Sequence, residues 1–155
     1  MLYISKVDAE EFKTIPHAAH RHSDSFEMIF EREGNGQISI DKKEYHVKKG
    51  DMVIYNCGVL HDERPESNPS LNHFGLTVTN LSLPGLSKNC LIPYTASPIV
   101  MCSDYYDIID QVFSTMYALL RIKRKEAEHI CHHSQPVLFV PHILKQPLAL
   151  FKAYY

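Results

Sequence analysis

The alternation of hydrophobic and polar positions predicts that the first part of the chain consists of short β-strands. Turns containing glycine or asparagine, such as Gly34-Asn35-Gly36, separate the strands, because these residues tolerate positive φ angles. We predict strands over residues 26–32, 37–40, 44–47, 52–55, 59–61 and 71–79. Short strands at regular spacing, with no βα alternation, indicate a sandwich or a closed barrel.

The hydrophobic period becomes helical after Pro98. Ile108, Val112, Met116 and Leu119 recur at helical spacing and form one apolar stripe. This stripe would pack either on the barrel or on a second copy of itself, and we take it as the candidate dimer interface. The pattern therefore predicts a barrel domain over residues 1–98, a helical dimerisation and linker segment over 99–133, and a proline-rich tail of unassigned structure over 134–155.

Composition narrows the class of protein. The chain has 155 residues, of which 45% are hydrophobic and 22% are charged, and this balance is typical of one globular domain. The net charge of -2 argues against a strongly basic surface for nucleic acid. The first residues lack an apolar secretory signal, and the four cysteines lack CxxC spacing. We therefore expect reduced thiols, a cytoplasmic location and no membrane association.

The candidate chemistry lies in three histidines and one glutamate. His20 and His22 are two residues apart, so an extended strand presents both rings to the same side. A turn or bulge at residues 23–25 would bring Glu27 to that side, and the turn at Gly58 would return His61 to it. Three imidazoles and one carboxylate suit zinc, nickel, manganese or iron as a divalent ion. The alternative is a polar barrel interior that binds an organic ligand without metal.

Two stretches carry a family resemblance. HRHSDSFEMIFEREG resembles the first cupin motif, and GDMVIYNCGVLH resembles the second. The resemblance implies a mainly β fold: a cupin-type double-stranded β-helix (jelly-roll) barrel followed by one or two α-helices. It also implies that the metal set (His20, His22, Glu27 and His61) lines a ligand pocket. We expect Tyr55 and Phe74 to join that pocket if they point inward, and plain core packing is their alternative.

The run from His20 to His61 also resembles the amino-terminal sensor domain of AraC-type transcription regulators. In that family a helical segment after the barrel commonly mediates dimerisation. The resemblance implies a non-catalytic homodimer that binds a small-molecule effector, with DNA read only through a separate domain missing from this chain. Two alternatives remain: a stand-alone metal-dependent cupin enzyme of the dioxygenase or isomerase type, and a binding cupin unconnected to transcription.

Overall fold

A computed structural model describes residues 2–8, 18–63 and 71–122, together with Glu126 and Ile130. The predicted tail over 134–155 and the end of the predicted helical segment lie outside these residues. The described elements are β1 (Leu2–Val7), β2 (Ser25–Glu33), β3 (Asn35–Ile40), β4 (Lys43–Lys48), β5 (Asp51–Tyr55), β6 (His61–Asp62), β7 (Asn72–Thr79), β8 (Ile99–Met101) and helix α1 (Tyr106–Arg121). Within this part of the chain, no helix combines the length and hydropathy that a membrane crossing requires.

The strands form two antiparallel sheets. One has five strands in the order β1-β7-β2-β5-β8, and the other has three in the order β4-β3-β6. This arrangement, followed by helix α1, confirms the predicted mainly β class. Strands β1 and β8 were not predicted. Strand β8 pairs with β5 through Val53 and Ile99, so the five-stranded sheet continues past residue 98, where we predicted the barrel domain to end.

The five-stranded sheet is covered on both faces. Its inner face contributes residues such as Ile29 and Val53 to a core shared with β3 and β4. Its outer face contributes residues such as Phe30 and Phe74 to a second core shared with helix α1. Burial on both faces explains why every residue of β5 is buried and why its sequence is almost wholly apolar.

Helix α1 packs on the outer face through Ile109, Phe113 and Met116. The Phe113 ring is stacked 5.8 Å from the Phe30 ring and 5.4 Å from the Phe74 ring, between centroids. The Arg32 guanidinium, on β2, also donates a 2.6 Å hydrogen bond to the Asp110 carboxylate on the helix. The helix is therefore fixed to β2 by stacked rings and by an ion pair.

This packing corrects part of the predicted dimer stripe. Met116 is only 1% exposed and belongs to the chain's own core, so it is not available to a partner. Ile108 is 58% exposed, while Val112 and Leu119 are partly buried beside the outer core. The buried stripe consists of Ile109, Phe113 and Met116, so the sheet contacts a face of the helix that is rotated from the predicted stripe and shares only Met116 with it.

We predict that Phe113→Ala lowers the free energy of unfolding by about 3–5 kcal/mol, because it leaves a cavity between two aromatic rings. The matched control Gln111→Ala removes an exposed side chain of the same helix and should change stability by less than about 0.5 kcal/mol. Urea denaturation followed by circular dichroism measures both. Equal losses for the two variants would show that the helix does not pack on the sheet as described.

Candidate metal site

Backbone hydrogen bonds bring the two ends of the site together. The amide of His20 donates to the carbonyl of His61 over 3.0 Å, and the amide of His61 donates to the carbonyl of His20 over 2.9 Å. The turn that precedes His61 depends on Gly58, whose φ of +83° is unfavourable for residues that have a side chain. The Gly58 amide donates to the carbonyl of His22 over 2.8 Å. Residues about forty positions apart are thus held side by side by the main chain.

Glu27 completes the cluster from β2. Its Oε2 atom lies 2.9 Å from His22 Nε2 and 3.5 Å from His61 Nε2. One ligand atom from each of His20, His22, Glu27 and His61 lies within 4.8 Å of the others. The structure therefore brings together all four residues that the sequence indicated as metal ligands.

The imidazole orientations fit a divalent metal. His61 Nδ1 lies 3.1 Å from the carbonyl of Val59, and His20 Nδ1 lies 3.0 Å from the carbonyl of Ala18. A carbonyl only accepts hydrogen bonds, so in the neutral rings Nδ1 carries the proton and Nε2 carries the lone pair. Metal-binding histidines are usually oriented in this way. His61 Nε2 is also buried and makes no hydrogen bond to any of the described residues, which is costly unless the atom binds something else.

The electrostatics of the cluster keep Glu27 ionised. Burial alone would raise the pKa of Glu27, but the contacts and charges of His22 and His61 lower it to about 2. The hydrogen bond to Glu27 raises the pKa of His22, and burial partly opposes this. A carboxylate that stays ionised across the neutral range is the form that binds a cation.

The ring of Tyr55 packs against the ring of His61 and helps to fix its orientation. The two rings are stacked with centroids 3.9 Å apart and planes 9° apart. The Tyr55 hydroxyl donates a 2.7 Å hydrogen bond to Glu63 Oε1, and both residues are buried. Burial, followed by the charge of Glu63, raises the pKa of Tyr55, so the hydroxyl remains a donor. Tyr55, which we predicted as a pocket residue, contacts the site through His61.

A cavity of about 220 Å³ adjoins the cluster. Gly75 on β7 makes room near it, since a Cβ atom at this position would lie 2.5 Å from Ser5 Oγ and 3.3 Å from Ile29 Cδ1. The cavity is bounded by Ser5, Val7, His20, Glu27, Ile29, His61, Glu63 and His73.

Sequence reasoning placed Phe74 in the pocket, and the structure corrects this. Phe74 is 1% exposed and stacks on Phe113, on the outer face of the sheet. Its neighbour His73 faces the cavity instead, because successive side chains of a strand point to opposite faces. His73 and Glu63 were missed. Glu63 follows His61 by two residues, and that spacing was the available signal for it.

Comparison with known proteins supports the fold. Residues 10–70 match the family described as "Cupin domain", a span that includes all four residues of the candidate metal site. With the two antiparallel sheets and the helix, this match defines a cupin-type fold, as predicted. No curated protein matches the chain.

Two solved structures illustrate the similarity. A cupin protein from Bacteroides fragilis is 20% identical, with a TM-score of 0.40, over 56% of this chain and 70% of that chain. A predicted oxalate decarboxylase from Thermotoga maritima is 20% identical, with a TM-score of 0.39, over 51% of this chain and 65% of that one. The match therefore spans about two thirds of each of these proteins.

We predict that the protein, purified without an affinity tag, binds one equivalent of Zn²⁺ or Ni²⁺. Glu27→Gln and His61→Ala should each weaken that affinity by at least about tenfold, since the first replaces a charged ligand with a neutral amide and the second removes a ligand atom. The control Glu33→Gln neutralises an exposed carboxylate on the same strand and should leave affinity unchanged. Calorimetric titration and elemental analysis measure this. Absence of binding after reconstitution, or equal affinities for all variants, would show that these residues do not form a metal site.

Proposed function

We propose that this chain is the effector-sensing and dimerisation domain of an AraC-type transcription regulator, which binds a small molecule at a divalent metal inside the barrel. Support comes from the cavity of about 220 Å³ beside the histidine–glutamate cluster. Pockets for drug-sized ligands typically enclose roughly 300–1,000 Å³, so this cavity suits a smaller molecule. When bound, the metal supplies open coordination positions for an oxygen atom of the ligand.

Strand β2 contacts both the cavity and helix α1, and this double contact is the observation that supports a sensing role. Glu27 and Ile29 line the cavity on one face of β2, while Phe30 stacks on Phe113 of helix α1 from the other face. Farther along the strand, Arg32 is paired with Asp110 on the same helix. A ligand that favours one arrangement of β2 would thus favour one arrangement of the helix, which is how binding shifts a conformational equilibrium.

Dimerisation through helix α1 is the second part of the proposal. Ile108 and Ile122 are 58% and 55% exposed, and Leu119 is partly buried. Pairing with a second copy would remove this apolar surface from water. In this account DNA is read by a separate domain, and the location is cytoplasmic.

Metal-dependent catalysis is the second candidate function. One observation favours it: Glu63 and His73 line the same cavity as the metal cluster. A carboxylate and an imidazole close to a metal-bound substrate are groups that could transfer protons. The two candidates differ in whether the helix responds to the contents of the barrel.

We expect Ni²⁺ loading to slow amide hydrogen exchange in β2 and also in helix α1, because the two elements share one packed core. Mass-spectrometric hydrogen exchange of metal-free and loaded protein measures the change, and Glu27→Gln with Ni²⁺ serves as the unresponsive control. Slowing confined to residues 18–27 and 58–63 would contradict the coupling and favour the enzyme.

We also expect the chain to sediment as a dimer at micromolar concentration. Ile108→Glu should yield a monomer, because it places a charge on the exposed apolar face of α1. The control Tyr3→Glu changes a side chain on β1 that is 62% exposed, and it should remain dimeric. Analytical ultracentrifugation measures all three. A monomeric unaltered chain, or dissociation by both variants, would refute the helix interface.

A further inference from the structure

One acidic side chain that lines the cavity, that of Glu63, does not belong to the metal cluster. Glu63 lines the cavity and is only 7% exposed. The Tyr55 hydroxyl fixes this carboxylate through the 2.7 Å hydrogen bond to Oε1. Because Tyr55 is itself stacked on His61, the position of Glu63 is set relative to the metal cluster. Glu63 is thus a fixed acceptor within the ligand space.

A second carboxyl group, that of Glu31, lies in the same interior and has no hydrogen-bond partner among the described residues. Glu31 is fully buried, and neither of its carboxyl oxygens makes a hydrogen bond in the described part of the chain. Burial, and then the charges of Glu63 and Asp51, raise the pKa of Glu31 well above its ordinary value. Burial is the main reason that Glu31 stays protonated, and the neighbouring carboxylates of Glu63 and Asp51 add to it.

The described residues that bound the cavity include no permanently charged cation that could balance the carboxylate of Glu63. No lysine or arginine is among the described residues that bound the cavity. Arg32, next to Glu31, points to the outer face and pairs with Asp110. Lys6 lies between the cavity residues Ser5 and Val7, and its register partner is Phe74, so it also belongs to the outer face. A buried carboxylate without a counter-charge is costly, and a ligand can supply that charge.

We propose that the ligand carries an ammonium group beside Glu63 and an oxygen donor toward the metal, as in a small ω-amino acid. This inference rests on the proposed function, because it requires a metal-assisted ligand site in the barrel. It excludes dicarboxylates as preferred ligands, since one of their two charges would face Glu63 in either orientation.

Three compounds of equal length test the inference: 4-aminobutyrate, 4-hydroxybutyrate and glutarate. Each has a carboxylate on three methylenes, and the opposite end is an ammonium, a hydroxyl or a second carboxylate. Calorimetric titration into the Zn²⁺-loaded protein should give the tightest binding for 4-aminobutyrate and the weakest for glutarate. The difference between those two should be roughly tenfold to hundredfold, as expected for a charge-assisted hydrogen bond. The same three end groups on chains one methylene shorter and one methylene longer test other distances between Glu63 and the metal.

Glu63→Gln should abolish the preference for the ammonium compound, whereas the exposed control Glu33→Gln should retain it. Melting curves of both variants check that they fold, and the wild-type ranking is decisive on its own. Glutarate binding more tightly than 4-aminobutyrate would overturn the inference, as would an ammonium preference that survives Glu63→Gln. If Zn²⁺ binds but no compound of any length does, the inference fails while the proposed function stands. If Zn²⁺ does not bind, both fail.

Discussion

The two-residue alternation of strand β2 is the constraint on which the remaining features depend. The strand lies in the middle of the five-stranded sheet, between β7 and β5. Glu27 and Ile29 face the cavity, and the alternate residues Met28 and Phe30 belong to the outer core beside helix α1. A shift of one residue in register would place the carboxylate among the aromatic rings of the outer core. The site and the helix docking are therefore specified together.

The candidate site needs a second constraint, because its histidines come from segments distant in sequence. Reciprocal backbone hydrogen bonds between His20 and His61 hold the two segments together independently of any ion. The carbonyls of Ala18 and Val59 then orient the two rings, and Tyr55 supports His61 from the opposite side. Much of the geometry is thus present before a metal binds, which lowers the reorganisation that binding requires. Tyr55 also donates a hydrogen bond to Glu63, so the position of Glu63 is fixed relative to the metal cluster.

The sequence predicted the parts of the structure that depend on local pattern. The motif spacing indicated His20, His22, Glu27 and His61, and the chain does bend at Ser23–Asp24 before β2 begins. Strands β1 and β8 were missed because neither shows a clear alternation, and each is defined by pairing with β7 or β5.

The positions that sequence reasoning misassigned depend on tertiary contacts. Phe74 and Met116 were assigned by hydrophobicity, and which face of an apolar strand or helix meets which neighbour is not a local property. His73 becomes a candidate only when the cavity it lines is known, whereas Glu63 carried one sequence signal, its two-residue spacing from His61.

The central claim is that three imidazoles and one carboxylate converge on a single ion. X-ray absorption spectroscopy of the Ni²⁺-loaded protein tests this directly, because the scattering pattern of an imidazole ring differs from that of water or sulfur. Convergence of the four side chains on one ion predicts a nitrogen and oxygen shell at about 2.0–2.2 Å with the outer-shell signature of three imidazoles. A shell containing sulfur, or one dominated by water with at most one imidazole, would contradict it.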